Sequence, residues 1–495
     1  MLSASARIAE VVTRSEVWLR PDPSRVITRL FVPGEELPFD ASRASPLMQR
    51  FLTMSDEQVA MLLEDILVRF GSRHPDLPRI LGRNFDQVSG RLGAGLDLST
   101  SQRTLLGAYF TAEYSVEAAA LCNPSMVAHP DQSGLAGGET RFVLSLRGIG
   151  EGHISSIGFR TGVMGAKGQV RLDDPGKQLR QGTVDPSVHD KRRVAHQLSA
   201  AGRGGEVATI ILASLPDEFS GAQLETAVGS LPSQALTRRA THQTIDALRS
   251  VVAANYAVAF PKDCRIDERI LFPHGPTESH GMEDARFVRF TGDDGQITFY
   301  ATYTAFDGAR VAPQLLQTDD FATFRVSQLH CPAATNKGLA IFPRKIDGRF
   351  AALSRWDRER NALTMSDDAW CWERPVTIQT PEQPWELVQI GNCGSPIETP
   401  EGWLVLTHGV GPMRAYSIGA ILLDIDQPWR VRASLEEPLM TPNPAERDGY
   451  VPNVLYSCGG MRHGDTVVLP YGWSDIGTSV ASLDLAGLLD CLLRP

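Results

Sequence analysis

Long apolar runs are missing from this 495-residue chain. No stretch approaches the roughly 18 to 20 residues of a membrane-spanning helix, and MLSASARIAEVVTRSEVW lacks the apolar centre of a secretory leader. The expectation is a cytoplasmic protein with no membrane partner. Excess positive charge is missing too. Lys and Arg number 48 against 58 Asp and Glu, a formal net charge of −10, which is the wrong sign for a nucleic-acid partner. Cysteine is sparse: seven residues without C-x-x-C spacing fit reduced thiols and exclude a disulfide framework or thiolate metal site. Neither G-x-S-x-G nor a Walker-type G-x-x-x-x-G-K-[ST] occurs, and SLRGIGEG is a glycine cluster with no helix after it. Serine-hydrolase, nucleoside-triphosphate and dinucleotide chemistry are thereby disfavoured. Glu151-Gly-His153 supplies two metal-ligating side chains and no third is spaced to join them, so no metal site is expected.

What is present is ample apolar material, 42% of residues, enough for a large buried core. A capping box at Ser55–Gln58 precedes the helical period of VAMLLEDILVRF, and DLSTSQRTLLGAYFTAEYSVEAAALC reads as a second helix. Residues 1–120 are therefore expected to form a mostly helical extension. From Asn123 onward short β-prone runs such as RFVLSL and HISSIGF alternate with Gly, Asp and Pro. Residues 175–262 break the pattern with helical DKRRVAHQLSAA and SQALTRRATHQTIDALRSVVAANYAV, hinged at GRGG and LPSQ. Strands resume at RFVRFT and continue to about residue 483, with LAGLLDCLL as a closing helix inside a tail at 486–495. Many short strands admit a sandwich, barrel or propeller, and the repeated aromatic-Gly turns favour a propeller over residues 121–485.

His280-Gly-Met-Glu283-Asp284-Ala-Arg286 is the densest polar segment. At a strand end it could converge on a ligand, or it could be a surface turn with an ion pair; both stay open. Lys337, Arg355 and His408 lie in or beside strands of apolar and small residues, where unpaired charge is costly, so they either share an anion or form separate ion pairs. Asn123, Ser125, Arg147 and Asp475 are commonplace singly, since such residues often cap turns. Tyr303, Trp385, Trp403, Tyr416 and Tyr450 offer sugar-stacking faces or core packing.

Taken in order, Asn123-Pro-Ser125, GMEDARF, FYATYTAF, KGLAIFPRKIDGRFAALSR, WELVQIGNCGSPI, GWLVLTHGVG, AYSIGAILLDIDQP, DGYVPNVLYSCGG and YGWSD resemble glycoside hydrolase family 130, the β-mannoside phosphorylases and related β-mannosidases. The resemblance implies an all-β five-bladed β-propeller, here carrying the N-terminal helical extension and the helical insertion. It implies that Asp284, in the family's Gly-x-Glu-Asp-Pro-Arg motif with Ala285 in place of proline, is the catalytic acid. Asn123, Ser125, Arg147 and Asp475 match positions that hold the sugar, with Tyr303 a further substrate contact. Lys337, Arg355, His408 and Tyr416 match the phosphate-binding region.

An inverting hydrolase needs an acid and a second carboxylate roughly 6.5 to 9.5 Å away to activate water. A phosphorylase replaces water and base with phosphate, which calls for cations. The implied reaction is therefore inverting phosphorolysis of a short β-mannoside to α-mannose 1-phosphate, with a small carbohydrate and inorganic phosphate as partners and no other cofactor. One departure weakens the anion site: Gln389 in WELVQIGNCG stands where the phosphorylases have lysine. A hydrolytic β-mannosidase, with Glu386 or Glu278 activating water, and a non-catalytic sugar-binding propeller remain the alternatives. Linkage and oligomeric state are left open, a homo-oligomer included.

Overall fold

The computed structural model describes residues 4–34, 43–92, 97–166, 168–176, 178–185, 188–232 and 239–494. The chain forms two compact units: Asp22–Ala118 with Gly176–Gln181, and Met1–Pro21 with Ala119–Pro175 and Gly182–Pro495.

The smaller unit holds helices Ala44–Phe51, Asp56–Phe70, Leu77–Leu92 and Thr100–Tyr109, plus strand Val26–Leu30 paired with Thr111–Ser115. Ser55 caps its helix as the sequence predicts: its Oγ accepts from the Gln58 amide at 3.3 Å and Gln58 Oε1 accepts from the Ser55 amide at 2.9 Å. The second predicted helix stops early. Phe110 is its C-cap and Thr111–Ser115 turns to strand, because the β-prone TAEYS finds a ladder partner in residues 26–30, which lie far back in the sequence. Buried Val59, Phe85, Val88, Leu105, Leu106 and Phe110 make this unit's own core.

In the larger unit, strands drawn from between residues 120 and 328 follow one ladder. Strands Ala120–Ala128, Thr140–Ile149 and Ser155–Met164 pair antiparallel, a single parallel contact joins Ser155 to Gly281, and Gly281–Thr291, Ile297–Phe306, Val311–Thr318 and Thr323–Gln328 continue it. Three further sheets are built around Phe350–Ser354, Gly402–Val410 and Thr466–Trp473. The N-terminal strand Val12–Leu19 pairs with Gly477–Asp484 near the other end of the chain.

The expectation of an all-β five-bladed propeller is corrected by this arrangement. Ten α-helices occur among the described residues, the strands group into a twelve-stranded mixed sheet with smaller separate ones, and no described sheet closes on itself. The physical reason for the fusion is Gly281, at φ 143°. A Cβ there would lie 2.8 Å from the Ser155 amide nitrogen, so glycine lets two antiparallel groups touch and share a ladder.

Within residues 175–262 lie helices Lys191–Ala200, Glu206–Ala213, Gly221–Gly229 and Arg239–Ala253, around buried Val194, Leu198, Ile211, Phe219, Leu224 and Leu248. The start of the predicted SQALTRR helix, residues 233–238, lies outside the described residues. Strands Thr183–Asp185 and Tyr256–Ala259 from the same segment extend the twelve-stranded sheet. That sheet packs an aromatic core in which Phe159 meets Phe287, Phe321 and Phe324 with ring centroids 6.0, 5.7 and 5.9 Å apart. No helix among the described residues is long and apolar enough to cross a membrane.

Candidate functional site

Three polar residues of the candidate site sit where the backbone kinks. The ladder of Gly281–Thr291 slips between Glu283 and Arg286, and that of Ala120–Ala128 slips between Cys122 and Ser125. Asp284 and Asn123 occupy these bulges at φ 56° and 49°, and Asp475, in the turn after Thr466–Trp473, sits at 48°. Asp and Asn tolerate this left-handed conformation better than other side-chained residues, and bulges re-aim a side chain out of the strand's alternation.

Charge then fixes the centre. Arg147 Nη2 donates to Glu283 Oε1 at 2.6 Å, its Nε donates to Ser155 Oγ at 2.8 Å, and its Nη1 is 3.5 Å from Asp284 Oδ1. Lys337 Nζ caps the other oxygen of Glu283. Glu283 is thus consumed by two cations. Asp284 Oδ1 is buried without a hydrogen-bond partner among the described residues, since 3.5 Å is a charge contact and too long for a hydrogen bond. Burial pushes the Asp284 carboxyl up, yet Lys337, Arg147, Arg286 and Arg355 together pull it below the ordinary carboxylate value. At neutral pH Asp284 is therefore an anion.

Asp475 behaves in the opposite way. Burial lifts its carboxyl to about 6, against the pull of Arg147 and with the push of Asp284. A raised carboxyl favours the fold only while it keeps its proton. Its contribution is whole below the unfolded value of 3.8 and is lost as pH climbs through about 6. Asp475→Asn removes that liability, so its Tm relative to wild type should rise between about pH 4 and pH 7 and then level off. The corresponding difference in unfolding free energy should widen by about 3 kcal/mol. Tm curves that stay parallel across this range would contradict the assignment.

A second group lies beside this centre. Arg355 Nη1 donates to His408 Nε2 at 2.8 Å, and His408 Nδ1 faces the Asn392 carbonyl at 3.2 Å. Burial, with Arg355 and Arg286 nearby, holds His408 well below the usual histidine range. The imidazole is therefore neutral, donating from Nδ1 and accepting at Nε2. His408 is no cation, which revises the sequence grouping; it orients one. Arg355 Nε is buried without a hydrogen-bond partner among the described residues. Gly391 is needed here: a Cβ would meet the His408 ring at 2.5 Å and Arg355 Cδ at 2.9 Å. Tyr416 stacks on His408 with centroids 6.2 Å apart. Gln389 precedes Gly391 by two and pairs with Val410 while Gly391 pairs with His408, so Gln389 shares the sheet face of His408.

Other predicted residues sit elsewhere. Ser125 is fully buried, and its Oγ accepts from the Phe287 amide at 3.0 Å, so it braces the strand that carries Asp284. Tyr303 is buried on the core face and donates to Glu278, as does Tyr256 at 2.8 Å. Glu278 also accepts from the amides of His274 and Gly275. Its acceptor capacity is spent. Glu386 packs against Gly409, one residue on from His408 and so on the opposite sheet face.

The sequence placed Arg286 in the polar segment without a role, and passed over Asn392 and Arg414. Arg286 donates to Asn392 Oδ1 at 3.0 Å and to the Tyr456 hydroxyl at 2.6 Å, locking the floor beneath Asp284. Asn392 in turn donates to the Gly338 carbonyl at 2.7 Å, next to Lys337. Arg414, at φ 55°, is close enough to lower the Asp475 carboxyl. The adjacent Gly-Pro-Met-Arg turn was the signal available for it.

A sheet-built scaffold that presents a buried carboxylate among fixed cations is the equipment of a group-transfer enzyme for polar, partly anionic ligands. The chain belongs to glycoside hydrolase family 130. The family's sequence profile, described as β-1,4-mannooligosaccharide phosphorylase, matches residues 258–494. A 1,2-β-oligomannan phosphorylase from Thermoanaerobacter sp. is 30% identical over 234 residues, covering 45% of this chain and 74% of the relative. A β-1,2-mannobiose phosphorylase from Listeria innocua is 31% identical over 233 residues, covering 44% and 62%. The solved complex of a Listeria innocua β-1,2-mannobiose phosphorylase with β-1,2-mannobiose aligns with a TM-score of 0.46 at 21% identity, over 77% of this chain and 93% of that one. Asn123, Ser125 and Arg147 precede the segment matched by the family profile.

Proposed function

We propose that the protein is an inverting β-mannoside phosphorylase, with Asp284 as the proton donor. The observation that carries this reading is the cation ring around Asp284: Lys337, Arg147, Arg286 and Arg355 all act on its charge, while Glu283 is already paired. Such a ring suits an anionic nucleophile, and the relatives named above are phosphorylases of β-mannosides.

In the proposed step a phosphate oxygen bonds the anomeric carbon of the terminal mannosyl unit as the bond to the leaving sugar's oxygen breaks. The balance closes without an external proton source: hydrogen phosphate and the β-mannoside become mannose 1-phosphate and the free hydroxyl of the leaving sugar. Asp284 handles the proton. As the dianion settles by Arg355 and Lys337, it offsets the cations that keep Asp284 ionised, which raises the carboxyl's proton affinity. Displacement from the face opposite the leaving group gives the α product. Arg355, aligned by His408, and Lys337 hold phosphate beside Tyr416. Arg147, Asn123 and Asp475 grip the mannosyl unit, and Ser125 braces the strand that carries Asp284. Phosphate is the only co-substrate in this scheme. None of the seven cysteines forms a disulfide among the described residues, which supports a reducing compartment and hence the cytoplasm.

The sugar assignment is tested by offering β-1,2-mannobiose, β-1,4-mannobiose and the corresponding β-glucobioses at one phosphate concentration. Turnover of at least one mannobiose and of no glucobiose is expected; equal turnover of glucosides would sink the mannoside reading.

A further inference from the structure

Tyr450 is 52% exposed, although tyrosine's large ring usually finds cover. It comes from the loop before Leu455–Tyr456, and its hydroxyl meets His153 Nδ1 at 3.2 Å from a segment 297 residues away. The two rings tilt by 34° with centroids 5.9 Å apart. An exposed pair of this kind hides little apolar surface of its own, so its construction calls for another reason.

Both rings are tethered to the site. On one side, the Val451 amide donates to the Ser474 carbonyl at 2.9 Å, next to Asp475. Gly449 makes that approach close, because a Cβ there would lie 2.6 Å from the same carbonyl. On the other side, His153, at φ 60°, stands two residues before Ser155, whose hydroxyl accepts from Arg147. The loops that carry the pair are therefore tied to Ser474 and Ser155, the immediate neighbour of Asp475 and the hydrogen-bond partner of Arg147. Arg355, by contrast, follows strand Phe350–Ser354, on a different part of the sheet system.

We propose that Tyr450 and His153 form an aromatic platform for the leaving-group sugar, so that this pair selects the second unit of the substrate. The inference rests on the phosphorylase reading, and it adds the residues that set acceptor preference. In-line displacement needs attacker and leaving group on opposite sides, and the platform's two loops are tied to Ser155 and Ser474, the neighbours of Arg147 and Asp475, and not to the strand that precedes Arg355. A sugar's C–H face can stack on the Tyr450 ring while the His153 hydrogen bond fixes the ring's tilt.

The test is calorimetric binding of mannose and β-1,2-mannobiose without phosphate, on wild type, Tyr450→Ala and Tyr450→Phe. The platform predicts that Tyr450→Ala weakens mannobiose about tenfold and leaves mannose unchanged, while Tyr450→Phe keeps most of the affinity. Equal losses for both sugars, no loss for either, or a wild type that binds neither would overturn it. A parallel assay with phosphate separates the two ideas. Mannose 1-phosphate from wild type with unaltered mannobiose binding by Tyr450→Ala sinks the platform alone, and the predicted binding pattern without mannose 1-phosphate sinks the reaction alone.

Discussion

Asp284→Asn is expected to abolish turnover while leaving the protein folded. Proton donation to a poor leaving group contributes about 10² to 10⁴ in rate, so kcat on a mannobiose should fall by about a thousandfold. Asparagine is the informative replacement because Asp284 sits at φ 56°, where Asn is tolerated and alanine would add strain of about 1–2 kcal/mol. The amide keeps the shape and the acceptor but has no acidic proton. An activated aryl β-mannoside, whose leaving oxygen needs little help, should lose much less. The check is a time course of mannose 1-phosphate release on both substrates, with near-ultraviolet circular dichroism to confirm the fold. A variant within tenfold of wild type on mannobiose would remove Asp284 from the proton-donor role.

Arg355→Gln should instead show itself in phosphate affinity. A hydrogen bond to a charged group is worth about 1.5–3 kcal/mol, so the KM for phosphate should rise roughly ten- to hundredfold while the Kd for mannobiose stays near wild type. The buried Arg355 Nε has no protein partner among the described residues, and Nη1 is held by the neutral His408; the guanidinium is thus oriented with a donor to spare. Initial rates across a phosphate series at saturating mannoside supply the measurement. An unchanged phosphate KM would place the anion elsewhere.

How much of this was legible in the sequence depends on the range of the interactions involved. The Ser55–Gln58 cap is local, and the structure has it. Lys337 and Arg355 could be picked out because charge embedded among apolar strands is expensive, Asp284 and Arg147 through the polar segment and the family resemblance, and the structure brings all four into electrostatic reach. Partnering was not legible. His408 looked like a cation, yet burial and two neighbouring guanidinium groups keep it neutral. Tyr303 looked like a sugar face, but a cross-strand core claims it for Glu278. The premature end of the Thr100–Tyr109 helix depends on residues 26–30, more than eighty positions before the strand they pair with, and the fusion of strands into one large sheet turns on a contact between Gly281 and Ser155. Pattern within a window carries none of these long-range pairings.

The central claim is that phosphate, and not water, takes the mannosyl unit. Purified protein incubated with β-1,2-mannobiose, with and without inorganic phosphate, and followed by proton and phosphorus NMR from the first minutes tests it most directly. The account predicts α-mannose 1-phosphate formed only when phosphate is present. Free mannose released at the same rate in its absence would contradict it.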